Sequence, residues 1–205
     1  MKNIVKISTL LAALLFAGCT PKTQYIDGGI PAGENEYMSM GIDSADFEKA
    51  ATDAVTSLLR SGALNRPGGG RYVIAMGSMV NDTTQLIDTD LLTKKIRIEL
   101  LNSGKAVVTT AVSSNGAEDD MTFIARDLRE NDEFKQDTVA KKGTLYAPDM
   151  SLSGKIIQRN AGIDKKRQIV DYYFQLTLTD IKSGLAFWEN ESKISKIGSN
   201  KSVIW

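Results

Sequence analysis

The 205-residue chain has no histidine and only one cysteine, Cys19. Without imidazole it lacks the usual general base at neutral pH and the commonest metal ligand. Serine or cysteine nucleophiles paired with histidine are excluded on the same ground. A single cysteine supports neither an intramolecular disulfide framework nor a thiolate-rich zinc or iron–sulfur site. Net charge is also missing: 25 Lys and Arg balance 25 Asp and Glu. No basic field is available to attract phosphates, so no nucleic-acid partner is expected. These absences leave little room for enzyme chemistry, and neither a metal nor a cofactor is expected. At 42% hydrophobic and 24% charged residues, the composition is that of one globular domain with a sizeable core.

The strongest positive signal lies at the N-terminus. Lys2 and Lys6 precede an apolar run from Ile7 to Phe16, broken only by Ser8 and Thr9. A basic start followed by a short apolar stretch is a secretory signal, too short for a spanning helix. Residues 1–18 read as that signal peptide. The stretch L-F-A-G-C at Leu15–Cys19 resembles a bacterial lipobox, with Phe16 where Leu is usual. The resemblance implies that Cys19 carries acyl chains, palmitate among them, and becomes the first mature residue. More than one chain anchors stably where a single one is marginal. Thr20 follows, not the Asp that would resemble an inner-membrane retention signal, so the expected location is the outer membrane, facing the periplasm. A plain signal peptide is the alternative reading.

Residues 19–42 read as the lipidated N-terminus and a flexible linker. Pro21, Pro31, Gly28, Gly29, Gly33 and Gly41 fall there without apolar periodicity. The globular domain is expected over 43–205. Phe47, Ala51, Ala54, Val55 and Leu58 form one helical stripe, with Asp43 or Ser44 as cap and Gly62 past its end. Tyr72 to Val80 is an uncharged apolar run, read as a buried central strand. Leu92, Ile96 and Leu100 mark a second helix, closed by Ser103-Gly104, and Ala106 to Val112 a second strand. Met121, Ile124, Ala125 and Leu128 give a third helix its apolar face, with Asp119 and Asp120 at its start.

The last third changes period. Val170, Tyr172, Phe174, Leu176 and Leu178 alternate with Asp171, Tyr173, Gln175, Thr177 and Thr179, one face in and one out. Met150 to Gln158 is the strand before it, and Leu185 to Ile194 the strand after. Helices early and an antiparallel meander late predict an α+β fold, a mostly antiparallel sheet with helices packed on it.

Chemistry-bearing groups have structural readings. Asp119 with Asp120 and Asp88 with Asp90 suit helix starts better than acid–base work. Gly68-Gly69-Gly70 lacks the Lys-Ser/Thr of a phosphate loop. Trp188 suits the core, and Trp205 ends the chain. Charge is less evenly spread: residues 141–201 hold 11 bases and 6 acids, residues 27–140 hold 11 and 19. The asymmetry predicts a dipolar surface, with Lys165, Lys166 and Arg167 as the candidate partner-binding cluster. A solvated sheet edge that discourages aggregation would carry the same charges.

Five segments in order then resemble the LpoB family of activator lipoproteins: V-N-D-T-T at Val80–Thr84, I-R-I-E-L-L-N-S-G-K at Ile96–Lys105, A-P-D-M-S-L-S-G-K-I at Ala147–Ile156, Y-Y-F-Q-L-T-L-T-D at Tyr172–Asp180 and G-L-A-F-W-E at Gly184–Glu189. The resemblance implies a domain like the N-terminal domain of TolB. It also implies a non-enzymatic role: binding a bifunctional (class A) penicillin-binding protein and stimulating peptidoglycan synthesis, hence cell-wall biogenesis and cell shape. It brings no catalytic residues. Family members typically carry a long tether, whereas Thr20–Gly41 here is 22 residues, about 75 Å when fully stretched. The alternative is a structural or assembly lipoprotein that self-associates without a synthase partner.

Overall fold

The computed structural model describes residues 23–27, 30–32 and 39–202. Cys19 and Trp205 lie outside them. Helix α1 (Ser44–Ser61) starts where Asp43, in extended backbone, accepts hydrogen bonds from the amides of Ala45 and Asp46. The Asp46 carboxylate in turn accepts from the Asp43 amide at 2.8 Å, which completes a capping box. Gly62 ends the helix at φ 76°, a left-handed position that glycine adopts without penalty. The predicted stripe of Phe47, Ala51, Ala54, Val55 and Leu58 is buried.

Two short strands precede this helix, β1 (Gln24–Asp27) and β2 (Ile30–Ala32). They fall inside the stretch read as linker. Four-residue strands carry no measurable period, and β1 is defined by a distant edge: it pairs antiparallel with the last strand of the sheet. After α1 come β3 (Tyr72–Asp82), α2 (Thr89–Asn102), β4 (Ala106–Ser113), α3 (Met121–Asp127), β5 (Met150–Gly162), β6 (Arg167–Asp180) and β7 (Ala186–Ser199).

All seven strands join one sheet, ordered β2-β1-β7-β6-β5-β3-β4. Strand β3 runs parallel to both β4 and β5, and every other pairing is antiparallel. The sheet is therefore mixed and mostly antiparallel, with α2 as the crossover that parallel β3 and β4 require. The α+β expectation holds. Helices α1 and α2 cover one face only. Val170, Tyr172, Phe174, Leu176 and Leu178 all point into it and are buried, and Phe174 meets Phe47 of α1 edge to face at 6.2 Å. Trp188 is buried on the same face and donates to the Ser57 hydroxyl at 3.3 Å. The opposite face stays open, and its side chains satisfy one another: Lys193 pairs with Asp171, Lys155 with Asp82, and Gln175 with Glu191.

Two expectations change. Strand β3 is buried only at Ile74, Ala75 and Met76, and its second half emerges at the surface, because β4 stops short and leaves that half uncovered on one side. Helix α3 forms but buries none of its residues; Met121, Phe123 and Ile124 are exposed. Periodicity reveals a helix's apolar side without saying what covers it. Here the β4–β5 excursion is braced mainly by internal bonds, such as those from Arg126 to the Lys141 carbonyl and the Thr144 hydroxyl.

Candidate functional site

The residues just before α1 form a strap, Met40 to Asp43, held by side chains from three distant elements. Lys196 on β7 is wholly buried. Its ammonium donates to the Gly41 carbonyl at 2.7 Å and to the carboxylates of Asp46 at 2.6 Å and Asp43 at 3.2 Å. Tyr172 on β6 donates its hydroxyl to the Met40 carbonyl at 2.8 Å and accepts from Gln85 Nε2 at 2.8 Å. The Gln85 oxygen in turn accepts from the Ile42 amide at 3.0 Å. Burial, reinforced by the Asp46 charge and opposed by the Gln85 hydrogen bond, raises the Tyr172 hydroxyl well above the ordinary tyrosine range. A Cβ on Gly41 would lie 2.6 Å from the Gln85 oxygen, so the strap lies tight against it.

This network is structural. It holds two carboxylates against one ammonium and ties residues 40–43 to β6 and β7. Strand β1 joins the sheet separately: Gln24 pairs with Ile197 and Ile26 with Ser195, so the start of β1 lies at the end where β5 turns into β6.

That end carries Lys165, Lys166 and Arg167. Asp164 Oδ1 accepts from the Lys166 and Arg167 amides, and Arg167 Nε reaches Oδ2 at 2.8 Å. These bonds, the Lys166 amide first, hold the Asp164 carboxyl below the usual carboxylate range. Asn200 ties the turn down through the carbonyls of Lys165 and Lys166. Lys165 and Lys166 remain solvent-exposed, while Arg167 is committed to Asp164. The basic excess over 141–201 is also less available than its count suggests. Lys196 is buried between carboxylates, and Lys155 and Lys193 are paired.

A cleft of about 670 Å³ opens where β3 and β4 end beside the start of α2, lined by Ser78, Ser113, Asp88, Lys94, Arg97 and Glu118 among others. Arg97 and Glu118 pair with each other across it. Asp88 caps α2 by accepting from the Asp90 amide at 3.0 Å, which leaves no nucleophile–base couple. Asp119 likewise accepts from the Met121 amide at 3.1 Å, whereas Asp120 makes no side-chain cap bond. Gly68, Gly69 and Gly70 all have positive φ in an open loop. Among the described residues no cluster of three or more His, Cys, Asp or Glu is placed to hold a metal, and no helix is long and apolar enough to cross a membrane.

Lys196, Asp46 and Gln85 are the polar residues of this network that the sequence reading missed. The signal was present: Trp188, Ser192, Ile194 and Lys196 share one face of β7 at period two, so a lysine on an inward row needs a carboxylate. Asp43 and Asp46, three apart at a helix start, supply two.

Residues 46–194 match the family described as peptidoglycan-synthase activator LpoB. Among solved structures, the C-terminal domain of LpoB from Escherichia coli is 14% identical over 72% of this chain and 97% of that one, with a TM-score of 0.39. The corresponding domain from Salmonella enterica is 13% identical with the same coverage and a TM-score of 0.40. The lipoprotein GNA1162 from Neisseria meningitidis is 10% identical over 64% of this chain and 86% of that one, at 0.34. No curated protein matches. Assignment therefore rests on the family match across most of the domain and not on these superpositions.

Proposed function

Because this chain belongs to the LpoB family of peptidoglycan-synthase activators, we propose that it is an outer-membrane lipoprotein that binds and activates a class A penicillin-binding protein. The observation that carries this reading is the family match over residues 46–194. Cys19 is the proposed lipid anchor, acylated after removal of residues 1–18. Five residues on, β1 begins, so the tether between the acyl chains and the sheet spans about 17 Å at most. That is far shorter than the 22-residue linker alone would allow. The domain is therefore held close to its membrane, and the synthase must extend toward it.

One envelope preparation tests the anchor and the partner together. Wild-type protein should sediment with outer membrane and carry the synthase with it after mild crosslinking. Cys19→Ser should appear in the soluble periplasmic fraction. A Cys19→Ser protein that still sediments would assign anchoring to something else. Wild-type protein that crosslinks only to itself would favour a structural lipoprotein.

A further inference from the structure

The tether leaves at one end of the sheet, and exposed apolar side chains gather at the other. At that far end β6 turns into β7 and β5 begins. Met150 pairs with Asp180, Thr179 with Ala186, and the Ile181 amide donates to the Asp149 carbonyl at 3.0 Å. Ile181, Leu185 and Phe187 on this hairpin are 47%, 62% and 48% exposed, and Leu145 and Tyr146, leading into β5, are 42% and 83% exposed. Phe187 is the extra residue of a β-bulge, between the Leu178–Trp188 and Thr179–Ala186 pairs.

Phe187 lies ten positions along β7 from Ile197, where β1 marks the tether's exit. At roughly 3.4 Å per residue the separation is about 34 Å, twice the free tether. The β1–β7 pairing sets this orientation, so the apolar end lies at the opposite end of β7 from the anchoring point.

From this placement we infer that the end formed by Ile181, Leu185, Phe187, Leu145 and Tyr146 is the surface that docks the synthase, against an apolar patch on its extracytoplasmic part. The inference rests on the synthase-binding reading and adds the face. An apolar patch of this kind is where a partner gains most from excluding water. The cationic turn at Lys165–Arg167 sits at the tether end, some four Debye lengths away at physiological salt, and should have little influence on an encounter at the far end.

The test is surface-based binding kinetics between the full mature protein in detergent and the organism's own purified class A penicillin-binding protein. Leu185→Ser with Phe187→Ser should weaken binding at least roughly tenfold, mainly through faster dissociation, with an unchanged melting temperature. Tyr146→Ser, outside the sheet, should weaken it in the same sense and guards against a folding defect at the hairpin. Reversal of Lys165, Lys166 and Arg167 to Glu should leave both rates unchanged. Normal binding by the apolar variants overturns the proposed face, as does loss of binding confined to the charge-reversed variant. Failure of the wild-type protein to bind overturns the synthase reading itself.

Discussion

Replacing Lys196 by Ala should destabilise the domain by about 3–5 kcal/mol, the usual result of leaving a buried charge without its partner. The substitution strands the Asp46 carboxylate, itself 1% exposed, and removes the donor to the Gly41 carbonyl. Against the roughly 5–15 kcal/mol that holds an ordinary domain together, that loss is large. Lys196→Met combined with Asp46→Leu should recover most of it, because a packed apolar pair replaces a desolvated ionic one. About 1 kcal/mol should remain unrecovered, since Asp46 also closes the capping box of α1. Urea unfolding monitored by circular dichroism measures all three proteins. A cost below about 1 kcal/mol for Lys196→Ala would show that the ammonium is not confined between its carboxylates.

Phe174→Ala should cost about 3–5 kcal/mol. Its ring is 3% exposed and packs edge to face on Phe47, so truncation leaves a cavity between β6 and α1 that neither rigid element can collapse to fill. Gln175→Ala, one residue on, should change stability by no more than about 0.5 kcal/mol. Gln175 faces the open side and gives up only a solvated hydrogen bond to Glu191. The same unfolding measurement compares them, and equal costs would contradict the inward register of β6.

The meander was legible because its alternation is strict and only one face of the sheet is covered. A one-residue slip there would expose Val170, Tyr172, Phe174, Leu176 and Leu178 together. Helices α1 and α2 were legible for the same reason, their stripes being buried and their caps local in sequence. What was not legible depends on distant partners. Strand β1 exists through pairing with β7, more than 160 residues away, and nothing within Gln24–Asp27 announces it. The exposure of α3 depends on an excursion that folds beside the sheet without packing its apolar residues on it. The strap network joins β6, β7 and the β3–α2 loop to residues 40–43. Each of its members looked ordinary in its own segment, and only the inward position of Lys196 betrayed it. The lipobox lies wholly in sequence and outside the described residues.

The central claim, that this domain acts on a synthase and performs no chemistry itself, is tested most directly by the rate of lipid II polymerisation by the organism's class A penicillin-binding protein. The rate should rise when the purified protein is added, and the protein alone should polymerise nothing, in keeping with a chain that has no histidine base and one cysteine, the proposed lipid anchor. An unchanged synthase rate at concentrations that saturate binding, or polymerisation by the lone protein, would contradict the account.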